Sequence, residues 1–257
     1  MTGPSAGRSS ENETLVVKLG GSVVTEKTER ETVDVDALAD AARALAAFDG
    51  SLVVVHGGGS FGHHHAAEHG VSTDEGTGNA GDALAIHGAM VELNRVVVDA
   101  LQDEDVPALP VHPLSAASRD SDGDLSLPTA QITGMLDEGF VPVLHGDGVV
   151  HAGEGVTVLS GDELVVELAP AVGATRVGVC STVPGVLDGE DAVVDRIGSF
   201  DEVADVLGAS DATDVTGGMA GKVRALLELG VPAQIFAPDA LDAFVAGESP
   251  GTTIETR

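Results

Sequence analysis

Lys18, Lys27 and Lys222 are the only lysines in the chain, and each lies within or just after a glycine-containing segment. An ammonium group beside glycine backbone is suited to phosphate binding. The missing side chains let main-chain N–H groups approach an anion, and the lysine adds a point charge. On a surface that otherwise dispenses with lysine, these three are candidates for tasks that require a cation.

Four segments carry the chemistry. In LVVKLGGSVVTEK (residues 15–27) an apolar run ends at Lys18 and empties into Gly20, Gly21 and Ser22. Such a turn alone is weak, but the flanking Lys18 and Lys27 favour a phosphate loop. In VVVHGGGSFGHHH (residues 53–65) a buried strand runs into three glycines and then Ser60, Phe61, Gly62 and His63. The helix that follows would aim N–H groups and a positive dipole end at an anion. GGGSFG does not keep the order of the dinucleotide fingerprint. The run His63, His64 and His65 raises a metal reading. Adjacent helical residues point apart, however, and no cysteine or spaced carboxylate completes a set, so no metal ligand is expected. In DVTGGMAGKVRALLELG (residues 214–230) a glycine turn opens a helix bearing Lys222. Thr216 replaces the first Walker glycine and Val223 replaces the magnesium-binding Ser or Thr, which excludes a P-loop. A lysine near a helix N-terminus remains, suited to charge on transferring phosphoryl oxygens. LSGDEL (residues 159–164) sets Asp162 at a helix start, either as a stabilising carboxylate or as the holder of two catalytic lysines.

The elements that must position these residues follow from periodicity. LVVKL and SLVVVHG are β-branched runs ending in glycine, with a helical stretch over about 34–48 between them, a βαβ unit. VPALPV, FVPVLHG, VTVL, RVGVC and PAQIF follow, interleaved with helical segments such as DALAIHGAMVELNRVVVDALQ and ELVVELAPAV. The pattern predicts an open αβα sandwich with a mostly parallel sheet and its site at the C-terminal strand ends. Residues 1–12 read as a disordered polar tail and 13–257 as a single domain. Cys180 reads as a small buried hydrophobe.

Composition excludes several classes. Forty-two acidic against 12 basic residues give a formal charge of −30, which repels nucleic acid and anionic membranes. The carboxylates are spread among apolar segments rather than gathered in one block. With neither Trp nor Tyr, this balance suggests adaptation to a salt-rich, halophilic cytoplasm. No apolar run reaches the roughly 20 residues of a membrane span, and the N-terminus lacks a signal peptide's apolar stretch. A cytoplasmic protein with no membrane partner is expected.

In order, K-x-G-G-S, the GGG turn, the GD carboxylate and GGMAGKVRA resemble the amino acid kinase superfamily from about Thr14 to the terminal GTTIETR. Within it, HGGGSFGH, VPVLHGD and LSGDEL resemble the isopentenyl phosphate kinases. The resemblance implies transfer of the γ-phosphoryl of ATP, with Mg2+ held mainly through the ATP phosphates, to isopentenyl phosphate in a homodimer. It implies Lys18, His63, Asp162 and Lys222 as catalytic residues, with Asp162 orienting the two lysines. Lys18, Gly20, Gly21, Ser22, Lys27, Gly59, Gly217, Gly218 and Lys222 would face ATP. Gly58, Gly59, Gly62, His63, Ser160 and Gly161 would face the acceptor, the His63 imidazole holding its phosphate. The prenyl tail is expected on the helix bearing His87, Met90 and Leu93, with Ile132 nearby. The chain departs from the family where STVPG, with Thr182 and Pro184, replaces an acidic T-D-V-D-G segment. Rival readings are a fosfomycin kinase, an amino acid or UMP kinase, and a catalytically silent binding relative.

Overall fold

The computed structural model describes residues 13–207 and 218–255. The proposed tail of residues 1–12 and Gly217 lie outside them. In chain order the elements begin with β1 (Thr14–Leu19), α1 (Gly21–Val24), α2 (Val35–Ala46), β2 (Ser51–His56), α3 (Gly59–His69), α4 (Ala80–Asp103) and β3 (Ala108–Pro110). Next come β4 (Ser118–Arg119), β5 (Leu125–Ser126), α5 (Ala130–Asp137), β6 (Val141–His145), β7 (Asp147–His151), β8 (Gly155–Leu159), α6 (Gly161–Ala171) and β9 (Arg176–Cys180). The chain closes with β10 (Arg196–Ile197), α7 (Ala204–Leu207), α8 (Gly218–Leu227), β11 (Ala233–Phe236), α9 (Leu241–Val245) and β12 (Thr252–Ile254).

Eight strands form one sheet in the order β10-β12-β11-β9-β1-β2-β6-β3. Every pairing in it is parallel except β11 with β12. Successive side chains of a strand point to opposite faces, and both faces here are covered. Leu15, Val17 and Leu19 of β1 join a core with α2, α4 and α9. Val16 joins the opposite core with α5, α6 and α8. This is why the strands read as continuous apolar runs. Lys18 has the parity of Val16 and therefore emerges on the α6 side.

One sequence expectation is corrected. VTVL forms β8, which pairs with β7 in a second sheet of order β5-β4-β7-β8, and does not join the main sheet. This hairpin is inserted between the end of β6 and the start of α6. A four-residue apolar run looks the same in either sheet, because pairing depends on partners distant in sequence.

Candidate active site

The parallel register sets the ends of four strands level. Leu19 pairs with both His56 and Cys180, and His56 pairs with His145. The chain leaves these strands at Gly20, Gly57, Gly146 and Ser181, which border one cavity of ≈ 370 Å³. Lys18, Gly20, Gly21, Ser22, Lys27, Gly58, Gly62, His63, Ser160, Gly161, Asp162 and Lys222 all line it. The structure thus gathers twelve of the fifteen sequence-predicted residues around one space.

Asp162 lies in the first turn of α6, behind a capping box. The Ser160 hydroxyl accepts from Glu163 N at 3.2 Å, and Glu163 Oε2 accepts from Ser160 N at 2.9 Å. With the backbone so fixed, Lys18 Nζ donates to Asp162 Oδ1 at 2.7 Å, and Lys222 Nζ stands 3.4 Å from Oδ2. Burial would raise the Asp162 carboxyl, but Lys18 and then Lys222 outweigh it and hold the group below its usual range. Two ammonium groups from elements 204 residues apart are thereby fixed on one carboxylate.

Gly59 and Gly218 do not line the cavity. Gly59, with φ +48°, opens α3 in a conformation that disfavours a side chain, and an added Cβ would stand 2.1 Å from Thr25 Oγ1. A Cβ on Gly21 would stand 2.1 Å from Gly59 N. The two glycine turns pack backbone against backbone, so these residues shape the cavity walls. Gly21→Ala is expected to cost about 2–3 kcal/mol through overpacking. A denaturant titration checks this by a lower midpoint at unchanged slope.

Of the residues expected around a prenyl tail, Met90 lines the cavity and the others do not. Leu93 is buried beneath α4, Ile132 belongs to the core on the opposite sheet face, and His87 donates Nδ1–H to Asp147 at 2.9 Å. Ala66, Ile86 and Val158 supply apolar lining that sequence reasoning missed. Ala66 and Ile86 stand one turn beyond His63 and before Met90, a helical spacing that could have found them. Thr182 also lines the cavity. Cys180 is fully buried, and burial followed by the nearby Asp239 pushes its thiol up to about 12.

Beneath the cavity lies a buried histidine chain that the sequence did not disclose. His112 Nδ1 is 2.9 Å from His145 Nε2, and His145 Nδ1 is 2.9 Å from Gly146 O. His56 Nδ1 is 3.1 Å from Gly57 O, and its Nε2 is 3.1 Å from Asn94 Oδ1. Asn94 Nδ2 has no partner, so turning that amide over would pair both groups with a neutral imidazole. Burial pushes His56 down from 6.5 to about 4 and holds His145 well below the ordinary range. In the unfolded chain both take up protons near 6.5. The unfolded state therefore binds more protons between about pH 6.5 and 4, and stability is expected to fall as pH falls through that window. His56 alone corresponds to about 3 kcal/mol, with Asp147, raised by burial, acting in the opposite sense. Denaturant midpoints across the window check the slope, which His56→Gln should flatten.

The three histidines diverge as expected, with His63 at the cavity and His65 Nε2 2.5 Å from Glu31 Oε1. A spaced carboxylate does stand near them on the same helix. Donor atoms of His65, Glu68 and His69 lie within 4.8 Å of one another. The missed signal is the i, i+3, i+4 spacing along α3, which places the three on one helix face.

Among the described residues no helix is long and apolar enough to cross a membrane. Residues 13–235 match the model of the amino acid kinase family. The chain is 63% identical over 242 residues to the isopentenyl phosphate kinase of Haloferax volcanii, covering 93% of this chain and 98% of that protein. It is 37% identical over 244 residues to the isopentenyl phosphate kinase of Methanothermobacter thermautotrophicus, covering 86% and 90%. A solved structure described as isopentenyl phosphate kinase superposes with a TM-score of 0.74 at 29% identity, covering 94% of this chain and all of that one.

Proposed function

The chain belongs to the amino acid kinase family and, within it, to the isopentenyl phosphate kinases, and from this premise we propose that it transfers the γ-phosphoryl group of ATP to isopentenyl phosphate, giving isopentenyl diphosphate. The observation that carries this reading is a single cavity lined both by the ammonium groups of Lys18 and Lys222 and by the hydrocarbon of Ala66, Ile86, Met90 and Val158. A phosphate bearing a short hydrocarbon matches both kinds of wall.

An ionised phosphate is already a nucleophile, so the reaction needs no general base. Positioning and charge neutralisation supply the rate. Lys18 and Lys222 neutralise charge on the transferring phosphoryl, Asp162 orients both, and Lys27 assists on the ATP side. Gly20, Gly21 and Ser22 offer backbone to ATP, with Gly59 packed behind Gly21, and the family motif assigns Gly217 and Gly218 to the ATP side. Gly58, Gly62, His63, Ser160 and Gly161 receive the acceptor, whose phosphate gains a charge-assisted hydrogen bond from His63.

Among the described residues, the carboxylates lining the cavity are Asp147 and Asp162. Both oxygens of Asp162 face lysines, and those of Asp147 accept from His87, Leu114 N and Gly148 N. Mg2+ therefore fits through the phosphates of ATP, where it neutralises charge on the transferring group. The proposal includes a cytoplasmic, salt-adapted homodimer, which sedimentation across a potassium chloride series tests. The direct test of function is ATP turnover with isopentenyl phosphate in concentrated potassium chloride. A protein inert on that acceptor yet active on fosfomycin or an amino acid would keep the family and overturn the substrate.

A further inference from the structure

We propose that the C-terminal half of α3 is a binding site for one transition-metal ion of the zinc class, ligated by His65, Glu68 and His69. The donor set is two imidazoles and a carboxylate, which suits Zn2+, Co2+ or Ni2+ and not Mg2+, an ion that prefers oxygen alone. Their donor atoms lie within 4.8 Å of one another. Ligands around a tetrahedral ion at about 2.1 Å stand about 3.4 Å apart. Small rotations of side chains that already share a helix face close that difference.

Two further observations belong to such a site. Each histidine has one ring nitrogen on a neighbouring carboxylate: His65 Nε2 is 2.5 Å from Glu31 Oε1, and His69 Nδ1 is 3.1 Å from Asp82 Oδ1. Carboxylates of this kind fix the tautomer and leave the other nitrogen with its lone pair. On His65 that other nitrogen, Nδ1, is buried and has no hydrogen-bond partner. A buried ring nitrogen left without a partner, on a residue of this cluster, is the kind of atom that a bound cation would satisfy.

One feature opposes binding. Arg30 Nη2 stands 3.4 Å from Glu68 Oε2, so its guanidinium competes with a metal ion for that carboxylate. Metal entry displaces it. The ion then ties α3 to the segment carrying Glu31 and to the start of α4, which carries Asp82.

The test uses the full chain, stripped with a chelator and returned to metal-free concentrated potassium chloride. It is titrated with cobalt(II) alone, followed by its visible d–d absorption. The expected result is one equivalent with a tetrahedral band, displaced by Zn2+ and not by Mg2+. A His65→Ala/His69→Ala double variant should lose more than about 100-fold in affinity. Arg30→Ala should bind about 10-fold more tightly, because a competing positive charge is gone. A folding defect cannot produce that gain. Binding that is non-saturable, that survives the double variant, or that is no tighter in Arg30→Ala overturns the site.

Discussion

Lys222→Ala is expected to lower kcat for phosphoryl transfer by about 10³-fold, with a smaller change in KM for isopentenyl phosphate. The lysine comes from α8 and stands 3.4 Å from Asp162 Oδ2, in the cavity that also holds Lys18. Charge redistributes between the transferring group and the leaving oxygen as the transition state forms, so losing a cation placed to meet it there costs kcat more than ground-state binding. Lys222→Arg would restore charge without the compact ammonium geometry and should recover only part of the rate. Asp162→Asn separates positioning from charge. It keeps both lysines but gives them a neutral partner, so each loses its fixed placement. Because the three groups act as a unit, the Asp162→Asn/Lys222→Ala double variant should lose far less than the product of the single losses. Steady-state kinetics of the four proteins decide this. Additive losses would mean that Asp162 does not act through Lys222.

His63→Ala is expected to raise KM for isopentenyl phosphate by about 10- to 100-fold, the worth of a charge-assisted hydrogen bond to a phosphate. KM for ATP should change little. His63 is an exposed residue of α3 at the cavity, one turn before Ala66 and next to Gly62, whose bare Cα faces Met90, so it stands where phosphate and hydrocarbon linings meet. His63→Gln, which keeps a donor but no charge, should lie between the two. An equal effect on both substrates would place the imidazole on the transferring phosphoryl, whereas an effect on neither would remove it from the site.

Most of this was legible along the chain because the signals were local. A lysine at a strand end followed by glycines, a carboxylate opening a capped helix, and a lysine early in the last long helix each announce themselves within a few residues. The same holds for β1, β2, β6, β9 and β11, whose burial on both faces writes itself as unbroken apolar runs. What failed was long-range. VTVL reads as a main-sheet strand because its pairing with β7 leaves no mark in the run itself. Leu93 and Ile132 read as lining for the tail because periodicity reports that a side chain is buried, not whether it faces a cavity or a core. The set of His65, Glu68 and His69 is hidden by the adjacent His63 and His64, because its i, i+3, i+4 spacing gathers on one face only once the helix is formed.

The sequence by itself determined the fold class, the family and the candidate residues proposed to handle phosphate, because backbone freedom, charge and strand burial are properties of short segments. Only the tertiary structure decided that Lys18 and Lys222 take separate oxygens of Asp162, since parallel register and helix docking set that distance. Only it showed that Gly21 and Gly59 serve each other's packing, because contact between two backbones separated by 38 residues has no local signature. The same reason hid the buried histidines: four strands had to end level before His56 and His145 could lie side by side beneath the cavity.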